Sequence, residues 1–150
     1  MKLRIYKVRE TAKIPIRAHA SDAGMDIFYC PEHHSGWLSI KPGGSALLET
    51  GLKIGVPSGH MLQIMNKSGI ASKKQLITGA CVVDAGYDGE IFVNLQNIGQ
   101  RPQVIEPGQK IAQAVLLPIA LPDFEVIEED LVYGAKTSRG DGALGSTGDK

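Results

Sequence analysis

Across EIFVNLQN (90–97), Ile91, Val93 and Leu95 alternate with Phe92, Asn94 and Gln96. That period of two predicts a strand with one buried and one wet face, because successive strand side chains point to opposite sides. LRIYKV (3–8), HMLQIM (60–65) and KIAQAVLLPI (110–119) lean toward strands in the same way. Turn formers separate these runs: Pro42-Gly43-Gly44, Pro57-Ser58-Gly59, Asp88-Gly89 and Pro107-Gly108. No stretch carries the apolar spacing of a long amphipathic helix, and GIASKK (69–74) supports a turn or two at most. Short strands between closely spaced turns predict an all-β sandwich, barrel or jelly roll. From residue 134 the chain reads GAKTSRGDGALGSTGDK, almost devoid of bulky apolar groups. A single domain is therefore expected, with a β core over 1–133 and a flexible Gly-rich C-terminal arm over 134–150.

Composition narrows the classes of function. With 150 residues the chain is long enough for one well-buried core. Sixteen basic residues balance sixteen acidic ones, which gives no global electrostatic case for nucleic acid or a membrane surface. A local cluster can still hold a small anion on a neutral protein. MKLRIYKVRE lacks the apolar core of a signal peptide, and no apolar run is long enough to span a bilayer. Two cysteines, Cys30 and Cys81, make no disulfide framework, which suits a reducing cytoplasm.

Five segments carry more polar chemistry than a β scaffold needs. Asp26 lies between Met25 and Ile27 at the entry to a strand, where a carboxylate needs a partner or merely forms a turn. Asn66-Lys67-Ser68-Gly69, with Lys73 and Lys74 beyond, offers a hydroxyl, a cation and close backbone approach, the materials of a phosphate cradle. The same residues would equally make a capped helical turn, and no GxxxxGK[ST] motif occurs. In CVVDAGYDGE (81–90) Asp84 follows two valines, which predicts a buried strand ending in a hairpin opened by Gly86 and Gly89. A carboxylate there can orient or deprotonate water or accept a sugar hydroxyl, and Tyr87 offers a flat face to a sugar ring. Gln113, on one strand face with Ile111, Val115 and Leu117, is an amide that must find partners, either in a ligand or in a subunit interface. In the arm, Arg139 amid glycines can fold over a polyphosphate, with Ser146 and Thr147 adding hydroxyls and Leu144 a cover. His33, His34 and Cys30 form one short cluster without a second ligand pair, which is poor support for zinc.

In order along the chain, AGMDI (23–27), NKSGIASKKQL (66–76), CVVDAGYDGEI (81–91), KIAQAVLLPI (110–119) and RGDGALGSTG (139–148) resemble the motifs of the trimeric dUTPase family. The resemblance implies a distorted jelly-roll or β-clip subunit and a homotrimer whose three active sites each draw on all three chains. It implies hydrolysis of dUTP to dUMP and pyrophosphate with Mg²⁺, limiting uracil incorporation into DNA and supplying dUMP. By position, Asp84 would order the attacking water and touch the 3′-hydroxyl, and Tyr87 would leave no room for a 2′-hydroxyl. The backbone from Thr78 to Cys81 would read the uracil edge. Lys67, Ser68, Gly69 and Gln113 would face phosphate oxygens, with Arg139, Leu144, Gly145, Ser146 and Thr147 closing the tail over the nucleotide. Asp26 would reach the metal or the phosphates through water, because Mg²⁺ sheds its hydration shell reluctantly.

Three positions depart from the family pattern. Asn66-Lys67 stands where the family has Pro-Arg, Cys81 where it has Gly, and Leu144 where it has a Phe that stacks on uracil. Lysine keeps the charge without the planar fork, and leucine covers a base without the aromatic contribution, so a looser and less base-specific lid is expected. Related readings are a dCTP deaminase, a hydrolase of modified dUTP, and a non-catalytic trimeric nucleotide-binding or regulatory protein. The deaminases place a catalytic Glu where this chain has Asn94.

Overall fold

A computed structural model describes residues 1–33 and 36–141. Met1–Ala120 forms one compact unit and Leu121–Lys150 a second. In the first unit the described strands are β1 (Arg4–Lys7), β2 (Met25–Phe28), β3 (Leu38–Ile40), β4 (Ser45–Glu49), β5 (Leu52–Gly55), β6 (His60–Met65), β7 (Leu76–Thr78), β8 (Val82–Val83), β9 (Phe92–Asn97), β10 (Gln103–Ile105) and β11 (Lys110–Pro118). One helix, α1 (Ser68–Lys74), interrupts them. Every strand pair is antiparallel, in sheets ordered β2-β11-β6-β8, β4-β9-β7, β1-β5 and β10-β3. The chain is thus all-β, and several short sheets around one core match the distorted jelly roll expected of it.

The alternation in 90–97 becomes burial as expected. Val93 and Leu95 are fully buried and Ile91 nearly so, while Phe92 and Gln96 are exposed. β9 packs this apolar face into a core with Ile27, Leu48, Leu52, Leu62, Ile64, Leu76, Ile105 and Ile111. Each such side chain contributes about 1.5–3 kcal/mol by leaving water. In β11 the register shifts between Lys110 and Ala112. Beyond that bulge Ala112 and Ala114 face the core, and Gln113 stands half-buried on the other side. β2 is buried along its whole length because β11 covers one edge and Ile16 bridges Asp26 on the other.

The helix is the turn or two expected, seven residues anchored through buried Ile70. Gln75 ends it with φ +54°, a left-handed cap whose N–H returns to the Ile70 carbonyl. Lys73 and Lys74 lie in its last turn, where cations suit the helix dipole.

The hairpin expected over 81–90 does not form. β8 pairs with β6, whereas β9 pairs with β4 and β7, so the intervening turn links two different sheets. Nor is the approach to Asp84 buried: Val82 is 56 % exposed, because β8 is the edge of its sheet.

In the second unit the described residues hold a single 3₁₀ turn, Glu129–Leu131. Leu121, Phe124, Val126 and Tyr133 are strongly exposed there.

Candidate active site

Asp26 is the centre of one polar group. Lys67 Nζ donates to its Oδ1 at 2.5 Å, and Lys110 Nζ lies 2.6 Å from its Oδ2. The Asp26 side chain is 5 % exposed while both lysines are only partly covered. Burial pushes the carboxyl upward, but hydrogen bonds from Lys110 and Lys67 outweigh it, so Asp26 titrates below the ordinary carboxylate value. Strand register explains the meeting. Gln113 of β11 lies opposite Asp26 on one side and Met65 of β6 on the other, so Lys67, two residues past Met65, reaches Asp26.

Gln113 Nε2 donates to the Asn66 carbonyl at 2.9 Å, and the Asn66 side-chain oxygen accepts from both N–H and hydroxyl of Thr78 at 2.7 and 3.0 Å. Gly24 makes this possible: a Cβ there would stand 2.0 Å from Gln113 Oε1. Ser68 and Gly69 begin α1 and are exposed, and their N–H groups precede the first intrahelical donors, Ile70 and Ala71, which both bond the Lys67 carbonyl. The structure therefore brings Asp26, Lys67, Ser68, Gly69, Thr78 and Gln113 together.

Asp84 and Tyr87 lie elsewhere. Asp84 is exposed at the end of β8, and no residue described in the same chain binds its carboxylate. Gly86, at φ +90°, turns the chain so that the Tyr87 N–H meets the Asp84 carbonyl at 3.3 Å. The Tyr87 hydroxyl donates to the Glu90 carbonyl at 2.9 Å. A groove of about 380 Å³ runs past this ring, lined by Arg4, Tyr6, Lys53 and Asp88 among others. Between the two groups, Cys81 is half-buried and its carbonyl accepts from the Ile64 N–H at 2.7 Å. Gly79, two residues before it, sits against the amides of Asn94 and Gln96.

The distance between the groups follows from the sheet. Val83 lies opposite Leu62, so Asp84 continues to the level of Met61, whereas Gln113 lies opposite Met65. Four residues along β6 and two strand spacings across it amount to about 16 Å. Gln113 also points to Asn66, away from Asp84. One chain does not close both groups on a single phosphoryl group.

Arg139 belongs to the second unit and is exposed. Leu144, Gly145, Ser146, Thr147 and His34 lie outside the described residues. Among the described residues no three His, Cys, Asp or Glu side chains are grouped to hold a metal ion. No described helix is long and apolar enough to cross a membrane.

Sequence reasoning overlooked Lys110, Gly24, Arg9 and Glu90. The first two had a signal: Lys110 stands three residues before Gln113, and Gly24 two before Asp26, inside segments already singled out. The Arg9–Glu90 ion pair joins residues 81 positions apart and had none.

A family profile described as dUTPase matches residues 10–148. The deoxyuridine 5′-triphosphate nucleotidohydrolase of Clostridium novyi is 39 % identical over 150 residues, covering 99 % of each chain. That of Clostridium tetani is 38 % identical over 148 residues, covering 97 % of this chain and 96 % of its own. Among solved structures, a mutant dUTPase of Staphylococcus bacteriophage 80alpha with dUpNHpp superposes with a TM-score of 0.84 at 25 % identity, covering 98 % of each chain. A mutant dUTPase from phage phi11 of S. aureus, described as coordinating a structural Mg(II) ion, gives 0.77 at 26 % identity, covering 86 % of this chain and 98 % of its own.

Proposed function

The chain belongs to the dUTPase family, and from that premise we propose that it hydrolyses dUTP to dUMP and pyrophosphate by attack of water at the α-phosphorus. The observation that carries the assignment of residues is Asp84: an exposed carboxylate without a partner among the described residues, three residues from a tyrosine held in one pose. A carboxylate so placed is a base for water, whereas Asp26 is tied to two lysines.

In this reading Asp84 takes the proton from water as oxygen bonds to the α-phosphorus and the α–β bridging oxygen departs with pyrophosphate. Tyr87 lies beneath the deoxyribose. The backbone from Thr78 to Cys81 lines the uracil edge, with Asn94 and Gln96 behind Gly79. Ser68, Gly69 and Gln113 hold phosphate oxygens, and Lys67 supplies charge nearby while tied to Asp26. Arg139, Leu144, Gly145, Ser146 and Thr147 form the closing tail within an arm over 134–150, ahead of which 1–133 makes the body of the domain.

The donor set suits a metal that arrives with the substrate. No described cluster can cage a cation, and each Asp26 oxygen already faces a lysine ammonium, so Mg²⁺ would be held by triphosphate oxygens and water, with Asp26 acting through water. Bound there, it would neutralise charge on the triphosphate. The separation of about 16 Å between Asp84 and Gln113 supports a homotrimer in which neighbouring copies complete each site. A cytoplasmic location goes with this reading, as do the two unpaired cysteines. Asn94 and Gln96 beside Gly79 weigh against the deaminase, because an amide cannot shuttle the proton which that chemistry needs.

Pyrophosphate release from dUTP, dTTP, dCTP, UTP and 5-substituted dUTP, measured side by side with Mg²⁺, tests the proposal. A strong preference for dUTP is expected, and Asp84→Asn should bind dUTP yet turn over about 10²–10⁴-fold more slowly. Full turnover by Asp84→Asn would remove Asp84 from the mechanism. Faster turnover of another nucleotide would mean that Cys81 and Leu144 have redirected the base pocket.

A further inference from the structure

Tyr87 is held in place by residues that no part of the mechanism above uses. Its hydroxyl donates to the Glu90 carbonyl, and its ring lies directly on Gly89. A Cβ on Gly89 would stand 2.2 Å from the Tyr87 hydroxyl and 2.4 Å from Cζ, so only glycine lets the ring lie there. The carbonyl that receives the hydroxyl is itself anchored. The Glu90 side chain is 14 % exposed, and its Oε1 accepts from the Gly51 N–H at 2.7 Å and from Arg9 Nη2. Arg9 is fixed in turn, because Nε donates to the Cys30 carbonyl at 3.1 Å. The next residue closes the anchor: the Ile91 N–H reaches the Leu52 carbonyl at 2.8 Å, and the Thr50 hydroxyl reaches the Ile91 carbonyl at 2.7 Å.

We infer that Arg9, Gly89 and Glu90 are positioning residues that set the pose of the Tyr87 ring and thereby the selection of deoxyribose over ribose. The inference rests on the reading that Tyr87 lies beneath the sugar. A steric filter works only if the filtering group cannot yield. The Asp84–Tyr87 turn is exposed and contains Gly86 at positive φ, so the turn alone would let the ring drift. What stops the drift is the hydroxyl bond to a carbonyl whose own residue is tied by a charge-assisted pair to the N-terminal segment. Removing the Glu90 charge or the Arg9 fork loosens the carbonyl, and adding a methyl at position 89 displaces the ring directly. All three should let a 2′-hydroxyl in.

The test is kcat/KM for dUTP and UTP, with thermal unfolding, in the full chain and in Gly89→Ala, Glu90→Gln, Arg9→Met, Arg9→Lys and Tyr87→Phe. The dUTP/UTP ratio should fall about tenfold or more in Gly89→Ala, Glu90→Gln and Arg9→Met, the size that displacing one small steric contact commands. Tyr87→Phe, which keeps the ring and loses its tether, should fall in the same direction, and Arg9→Lys should recover part of the loss. A purely structural role would lower the melting temperature and leave the ratio unchanged. Should Arg9→Met or Glu90→Gln fail to fold, Gly89→Ala decides, because its clash is with the movable end of a side chain. An unchanged ratio in the folded variants, with the wild type preferring dUTP, would overturn the inference alone. A wild type with no preference for dUTP would bring down the functional reading and this inference with it.

Discussion

Replacing Asp26 by Asn keeps shape and volume while removing the one negative charge that faces two ammonium groups. Breaking a fully buried ion pair from one side costs about 3–5 kcal/mol, whereas an exposed pair is worth about 0–1. Asp26 is buried, but the side chains of Lys67 and Lys110 are 31 % and 43 % exposed and can turn toward water once released. The expected loss therefore lies between the limits, at about 2 kcal/mol. Lys67→Met or Lys110→Met leaves the carboxylate one ammonium, and each should cost about 1 kcal/mol. The pH dependence follows from the sign of the shift. The folded pKa is depressed below the ordinary aspartate value, so the stabilisation is fully present above the unfolded value and is lost only as pH falls through the lower folded one. Urea unfolding of wild type and the three variants, at one protein concentration so that any self-association enters equally, should give a difference for Asp26→Asn that is constant from about pH 5 to pH 8. Below about pH 4 that difference should shrink toward zero. An Asn variant that costs less than either lysine variant, or a difference already closing at pH 6, would refute the reasoning.

Two further outcomes bear on the nucleotide site. Gly24→Ala should raise KM for dUTP, because the new methyl would occupy the place of Gln113 Oε1 and push the amide off Asn66; parallel kinetics of Gly24→Ala and Gln113→Ala check this, and an unchanged KM in Gly24→Ala would separate Gln113 from the phosphates. Leu144→Phe should lower KM for dUTP by about two- to tenfold, the equivalent of an aromatic contact of about 0.5–1.5 kcal/mol, and a KM that stays put would remove Leu144 from the base cover.

Local pattern and non-local pairing were not equally legible. β9 could be read because period-two alternation is written within a single strand. β11 could be read only in part, because its bulge puts Ile111 in the core with Ala112 and Ala114 rather than on the face of Gln113. The turn after β8 could not, because its two valines and its Asp-Gly pair are the same whether the flanking strands pair with each other or depart for different sheets. Val82 was misjudged for a related reason: apolar character predicts burial, but an edge strand leaves one side to whatever comes next. Lys67 read as a phosphate ligand because charge was visible and register was not. Its pairing with Asp26 depends on Gln113 lying between Asp26 and Met65, a relation among three strands. Arg9 and Glu90 are the extreme case, one charge near each end of a long loop of sequence, with nothing local to join them.

The arrangement of β6 leads to a prediction about assembly that one chain cannot meet. Asp84 and Gln113 sit on strands flanking β6, at levels four residues apart, and the Gln113 amide is turned the other way. Made alone, Asp84→Asn should be nearly inactive and Gln113→Ala should be strongly impaired at subsaturating dUTP. If each site takes Asp84 from one copy and Gln113 from the next around a closed ring, mixed trimers contain intact sites. With the two variants co-expressed in equal amounts and assorting at random, a given site finds both wild-type residues in about one case in four. The mixture should therefore show about a quarter of wild-type activity at subsaturating dUTP. If Asp84 and Gln113 of the same chain served the same site, no site in a mixed trimer could hold both, and activity would stay at the level of the separate variants. That outcome would mean that the strands separate the two groups less than their register implies, and the argument for shared sites would fall with it.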